Sequence, residues 1–204
     1  FSIDWSASTT TQDREGEVVA SSDKRATFDE IKAALAGFIG DIEQVPPQYS
    51  AIKVNGERAY DLAREGETVE LKSRQVTLFE ARLDEDASTT DLALIHVTCG
   101  KGFYIRALVR DLAEALGLEG HVATLKRTRV GRFRIEESVS IANLDDMEEI
   151  EARRDVLVPI QTALEDVPSI SIDATNAGKL RLGNDILLLP HEVSDWKFQR
   201  NSMM

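Results

Sequence analysis

Cysteine is nearly absent from this 204-residue chain, and its single copy, Cys99, excludes an internal disulfide. That fits a reducing, cytoplasmic setting. Cys99 is also poorly placed as a nucleophile. It follows the apolar run Leu92-Ala93-Leu94-Ile95-His96-Val97 and reads as a small hydrophobe at a strand end. His96, His121 and His191 are scattered without ligand spacing, which argues against a metal site. No apolar run reaches the ~18 residues of a membrane span. The opening Phe1-Ser2-Ile3-Asp4-Trp5 lacks the basic-then-apolar layout of a signal peptide. It alternates apolar and polar from its first residue, like a strand entered midway, so the natural N-terminus is expected to lie upstream.

Positive charge is scarce too. The net charge of −12 speaks at first against a nucleic-acid partner. Its distribution changes that reading. Residues 1–98 carry 10 basic against 19 acidic side chains and residues 135–204 carry 6 against 14, whereas residues 99–134 carry 8 against 3. A basic stripe on an acidic body can bind phosphates locally while the rest of the surface repels other polyanions. A solvated charged face gives the same composition.

The 42% hydrophobic content supports one substantial core with room for a small second unit. Strands are expected from Phe1 to Ala7 and from Glu17 to Ala20. Thr27-Phe28-Asp29-Glu30 is a capping box that starts a helix with Ile31, Ala34, Leu35 and Phe38 on one face, stopping at Gly40. A Pro-containing connection with an Asn55-Gly56 turn follows, then a short helix from Glu57 to Glu65 closed by Gly66. Val69 to Leu71, Gln75 to Leu83 and Asp91 to Thr98 are strand-like, the last two forming an antiparallel pair. Tyr104 to Leu116 is the clearest helix: Ile105, Leu108, Leu112 and Leu116 share a face and Gly117 caps it. Val122 to Ile135 alternates like a strand. Acidic helices at Ile141 to Arg153 and Val158 to Glu165 precede a short αβ segment ending in Ile186 to Leu189. This mixture is an α+β domain.

Chemistry concentrates in two places. On the helix after Gly102, Arg106 and Arg110 lie four residues apart, and like charges at that spacing repel. Glu114 can partner Arg110. Arg106, in the first turn, opposes the helix dipole, so it calls for a carboxylate or phosphate partner unless it is a surface arginine tolerated at small cost. Gly100-Lys101-Gly102 permits a close backbone approach to an anion, or simply joins strand to helix; it is not a P-loop. Residues 46–66 interleave Tyr49, Lys53, Arg58, Tyr60 and Arg64 with turn formers, a composition suited to unpaired bases and bent phosphate backbones, and equally to an ordinary helical hairpin.

Three stretches resemble the tRNA pseudouridine synthase B (TruB) family. They are Gly40-Asp41-Ile42-Glu43-Gln44-Val45-Pro46-Pro47 through Gly66, then Cys99-Gly100-Lys101-Gly102-Phe103-Tyr104-Ile105-Arg106 with Asp111-Leu112 and Thr124-Leu125-Lys126-Arg127-Thr128-Arg129, and Thr9-Thr10-Thr11-Gln12-Asp13-Arg14-Glu15-Gly16. The resemblance covers about residues 1–170. It implies the pseudouridine synthase fold, a mainly antiparallel mixed sheet with flanking helices and a thumb-like insertion at about 41–66. Residues 1–150 would be the downstream part of the catalytic domain, and 151–204 the start of a small C-terminal domain. It also implies conversion of the T-loop uridine of tRNA (position 55) to pseudouridine, without metal or organic cofactor. The base is flipped out and an aspartate attacks. Arg106 matches the family's active-site arginine, and Asp13 a loop aspartate that pairs with it. Tyr104 and Leu125 match residues lining the uracil pocket. Tyr49, Lys53 and Arg58 belong to the RNA-gripping thumb, and Lys101, in the Gly-Lys-Gly turn, is expected among the substrate-binding residues. The family's G-x-L-D-P-x-A-T-G motif, which carries the nucleophilic aspartate, has no counterpart here. This chain alone is therefore expected to be inactive and, with sheet edges exposed, prone to self-association. The alternative is a non-catalytic module that binds and remodels tRNA. The implied partner is a tRNA T stem-loop; no membrane and no protein partner are implied.

Overall fold

The computed structural model describes residues 1–54, 56–64, 70–165, 167 and 169–188. The expectations for Asn55, Gly66, Val69 and Leu189 lie outside the described residues. Two compact units divide the chain, Phe1–Lys126 and Arg127–Met204.

In the first unit the strands are β1 (Ser2–Asp4), β2 (Ala7–Thr9), β3 (Val18–Ser21), β4 (Gly40–Gln44), β5 (Lys53–Val54), β6 (Glu57–Arg58), β7 (Arg74–Asp84), β8 (Leu92–Cys99) and β9 (His121–Thr124). The helices are α1 (Phe28–Ala36), α2 (Ala59–Arg64) and α3 (Ile105–Leu116). The main sheet runs β4-β7-β8-β1-β9, with each neighbouring pair antiparallel. The expected strand over Phe1 to Ala7 is broken in two. Ser6 N–H donates to Asp4 Oδ1 at 2.8 Å, and the chain leaves the sheet to form the separate β2–β3 ribbon.

Helices α1 and α3 cover the core. Ile31 and Leu35 of α1, Leu108, Val109 and Leu112 of α3, Ile3, Leu78, Ala93 and Ile95 from the sheet, and Trp5 just past β1 form one apolar cluster, nearly all of it closed to solvent. The expected α3 stripe holds. Leu108 and Leu112 are fully buried and Ile105 and Leu116 flank them. Gly117 ends the helix at φ +65°, and Leu118 N–H returns to Ala113 O at 2.9 Å, a left-handed turn that suits glycine. Cys99 packs half-buried against this core.

The capping box is real: Thr27 Oγ1 accepts from Glu30 N–H at 3.3 Å and Glu30 accepts from Thr27 N–H at 2.8 Å. The helix stops at Gly37 rather than Gly40, because Gly40 (φ +108°) is already the first residue of β4. Bonds from the Thr27 backbone and hydroxyl hold the Glu30 carboxyl below its ordinary pKa. A lowered folded-state pKa stabilises the fold above the unfolded carboxyl's pKa, and that contribution fades as pH falls through the folded value. Glu30→Gln is therefore expected to lower stability at neutral pH and to cost less under acid, where the wild-type carboxyl is itself protonated. Urea midpoints at pH 7 and pH 3 check this, and an equal loss at both would refute it.

The second unit opens with a hairpin, β10 (Arg129–Val130) and β11 (Phe133–Arg134). It corrects the expectation of one strand from Val122 to Ile135. Gly131 at φ +56° makes the turn that alternation alone conceals. Short helices follow: α4 (Ile141–Asp145), α5 (Ile150–Asp155), α6 (Ile160–Ala163) and α7 (Ala174–Arg181). The first expected acidic helix is thus two helices, and the second is only a single turn. Ser140 and Asp173 cap α4 and α7 by accepting from the backbone N–H groups of Asn143 and Asn176.

Candidate active site

Residues 9–16 form a tight loop between β2 and β3. Thr9 Oγ1 donates to Asp13 O at 2.5 Å, and Glu15 N–H donates to Asp13 Oδ1 at 3.1 Å. Thr11 Oγ1 also donates to Oδ1. Two backbone bonds fix the loop to β9: Val122 N–H to Gln12 O at 3.1 Å and Arg14 N–H to Val122 O at 3.2 Å. The remaining oxygen, Asp13 Oδ2, faces Arg106 Nη1 at 3.3 Å.

Arg106 is the second residue of α3 and three-quarters buried. The same Nη1 donates to Thr11 O at 3.0 Å, while Nη2 donates to Tyr49 O at 2.7 Å. One guanidinium therefore joins the loop to the segment that follows β4. A fixed planar fork does this, and a lysine point charge cannot. The cation that local helix rules disfavour is explained by tertiary acceptors. Arg110 corrects an expectation. It bonds Asp111 Oδ1 through Nε and Val45 O through Nη2, rather than pairing with Glu114.

These groups border a cleft of about 660 Å³, lined by Thr11, Asp13, Arg14, Glu15, Tyr49, Tyr60, Arg64, Arg106 and residues 122–125, the end of β9 and Leu125 beyond it. Tyr49 and Tyr60 meet edge to face with centroids 6.4 Å apart, and the Arg64 guanidinium lies 4.3 Å over the Tyr60 ring. Backbone bonds from Tyr60 N–H to Ser50 O and Ala59 N–H to Ile52 O set both rings on one small substructure. The cleft thus combines cations, an ion-paired carboxylate, stacking faces and the exposed apolar side chain of Leu125. Such a mixture suits a nucleoside with its phosphates.

Of the residues singled out in the sequence, Arg106, Asp13, Tyr49, Tyr60, Arg64 and Leu125 come together here. Tyr104 is the N-cap of α3 and does not line the cleft. Lys101 is exposed on the turn before α3. Lys53 and Arg58 face each other across β5–β6 and border a different depression with Asp61. Arg14 and Val122 were missed, since only the long-range pairing of β9 with the loop brings them in. Gln44 was missed as well. Its side chain, 1% exposed, accepts from Tyr104 N–H at 2.8 Å and donates to Tyr104 O at 3.1 Å.

The mainly antiparallel sheet and the two helices over it define a pseudouridine-synthase fold. A chain of a solved Cbf5-Nop10-Gar1 complex shares it, with a TM-score of 0.62 and 25% identity over 79% of this chain and 46% of that one. A chain of an H/ACA RNP bound to a substrate RNA containing 2′-deoxyuridine matches at TM-score 0.59 and 19% identity, covering 91% of this chain and 47% of that one, which supports the fold alone. The family model for the TruB family pseudouridylate synthase N-terminal domain matches residues 1–105, and that for the tRNA pseudouridylate synthase B C-terminal domain matches residues 106–165. This chain belongs to the TruB family of pseudouridylate synthases. A relative from Caulobacter sp. (strain K31), named tRNA pseudouridine synthase B, is 48% identical over 97% of this chain. One of the same name from Caulobacter vibrioides is 45% identical over 97%. The chain spans 63% of the length of each.

Proposed function

We propose that this chain carries the arginine side of the active site of a tRNA pseudouridine synthase, one that isomerises the T-loop uridine at position 55. The observation that carries the reading is Arg106, held by Asp13 on one side and by the Tyr49 carbonyl on the other, at a cleft that also holds Tyr60, Arg64 and Leu125. Both relatives described above bear the name tRNA pseudouridine synthase B.

In this reading a uridine turned out of its stack enters the cleft, with Leu125 against its apolar face and the tyrosines beside flanking bases. Arg106 keeps the reacting sugar and base beside a cation. Asp13 holds that cation in place. Its carboxylate is engaged by Thr11, Glu15 and Arg106, which makes it a support and a poor nucleophile. The attacking aspartate belongs to the G-x-L-D-P-x-A-T-G motif, absent from these residues. A non-catalytic tRNA-remodelling module is the second reading, favoured by that missing motif. Lys53 and Arg58 add phosphate contacts from the insertion, and Lys101 adds one from the turn before α3.

The test is fluorescence anisotropy with a T stem-loop hairpin and turnover on the same RNA. The chain is expected to bind with an affinity that falls as salt rises, and to form no pseudouridine by itself. Tyr60→Ala is expected to weaken binding about tenfold, since a stacked base is worth ~1–3 kcal/mol. Salt-insensitive binding, or none, would remove the RNA reading. Turnover by an intact protein that carries the motif separates the enzyme from the module.

A further inference from the structure

A buried primary amide is costly unless its donors and acceptor are matched, and Gln44 meets that demand with one residue, sixty positions away. Its amide closes on both backbone groups of Tyr104. Tyr104 is the N-cap of α3 and its own side chain makes no capping bond; Gln44, from β4, satisfies the N-cap's own amide, the bond that the N3 side chain makes in a capping box. Arg106 follows two residues later. The next residue after Gln44, Val45, accepts from Arg110, and Tyr49 accepts from Arg106. Residues 44–49, the root of the tyrosine-bearing insertion, are thus fastened to the first turns of α3 at three points.

We propose that Gln44 is a positioning residue that acts through Arg106. By fixing where α3 begins, it sets the guanidinium at the one place where Thr11, Asp13 and Tyr49 can all be reached, and so couples the insertion to the loop at residues 9–16. The consequence for RNA rests on the function proposed above; the consequence for Arg106 does not. The point is geometric, because a fork that meets three acceptors tolerates little displacement of its helix.

Gln44→Met keeps the length and bulk and removes both hydrogen bonds. Two measurements on the full chain test it. In nitrogen-edited NMR at low temperature, the Nη–Hη signals of Arg106, slowed by their bonds in the wild type, are expected to broaden or vanish in Gln44→Met. Those of Arg25, bonded to Ser22 and Lys24 carbonyls, remain as an internal control. In hairpin binding, Gln44→Met and Arg106→Lys are each expected to weaken affinity about five- to tenfold, and the double variant less than twofold beyond Arg106→Lys alone. Gln44→Glu sets a buried carboxylate against the Tyr104 carbonyl and should lose more than Gln44→Met at neutral pH. It should recover as pH falls, because the protonated acid can bond both Tyr104 backbone groups, and that recovery preserves the test if Gln44→Met folds poorly. Unchanged Arg106 signals, or fully additive losses, would overturn the proposal. Altered Arg106 signals in Gln44→Met, alongside a wild-type chain that binds no RNA, would uphold it while removing the RNA reading.

Discussion

Arg106→Leu is expected to produce the largest functional loss of any single substitution in the cleft, about a hundredfold in hairpin affinity, with Arg106→Lys losing about tenfold. Leucine removes three bonds and strands the carbonyls of Thr11 and Tyr49 and the carboxylate of Asp13. A hydrogen bond to a charged group contributes ~1.5–3 kcal/mol, and leaving a partner unmatched adds to the loss. Arg106 and Asp13 each retain about a quarter of their exposure, so water recovers part of this. A net cost of about 2–4 kcal/mol to the fold remains. Lysine keeps the charge and reaches one acceptor, but has no fork to bridge loop and insertion. Two measurements check this: anisotropy with the T stem-loop hairpin, and urea unfolding followed by Trp5 fluorescence in a Trp196→Phe background, which leaves the buried Trp5 as the only tryptophan. If lysine matched arginine in both, the site would need only positive charge, and the bridging geometry would be irrelevant.

The same arginine shows what the sequence could and could not disclose. Its conflict with the helix dipole was visible in a one-dimensional reading, because that conflict depends only on position within a turn. Its partners were not, since Tyr49 lies 57 residues away and Thr11 lies 95 away. Local rules did well at the Thr27 box, the left-handed Gly117 cap and the α3 stripe, and missed the end of α1, which comes at Gly37 and not Gly40. They failed where a backbone bond redirects the chain. Ser6 N–H turning onto Asp4 split the first strand, and the Gly131 turn hid a hairpin inside an alternating run. Gln44 carries a different lesson. A glutamine in a short strand reads as a solvent-facing polar residue, and only its match to the Tyr104 backbone reveals why it is buried. The family resemblance paired Asp13 with Arg106, and the two side chains meet at 3.3 Å; it also named Lys101, which lies exposed on the turn before α3.

Gly16→Ala is expected to do the greatest damage per atom added. A Cβ at Gly16 would lie 2.5 Å from Thr11 Oγ1, 2.6 Å from Thr11 N and 2.8 Å from Thr10 Oγ1. A side-chain tip could rotate away, but the Thr11 backbone cannot, so residues 10–16 must open. That movement breaks the return bond from Gly16 N–H to Asp13 O and disturbs the Thr11 carbonyl that Arg106 grips. Overpacking typically costs ~1–3 kcal/mol, and the lost loop bonds bring the total to about 2–4 kcal/mol. Gly178→Ala is the contrasting case. It lies inside α7 with nothing within 4 Å of its added Cβ, and alanine there should stabilise the helix by up to ~1 kcal/mol. In the same Trp196→Phe background, Gly16→Ala should lower the urea midpoint reported by Trp5 and reduce hairpin affinity at least tenfold, while Gly178→Ala should lower neither. Full affinity in Gly16→Ala would mean that the loop at residues 9–16 does not shape the cleft, and Asp13 would then have no claim to hold Arg106 in place for RNA.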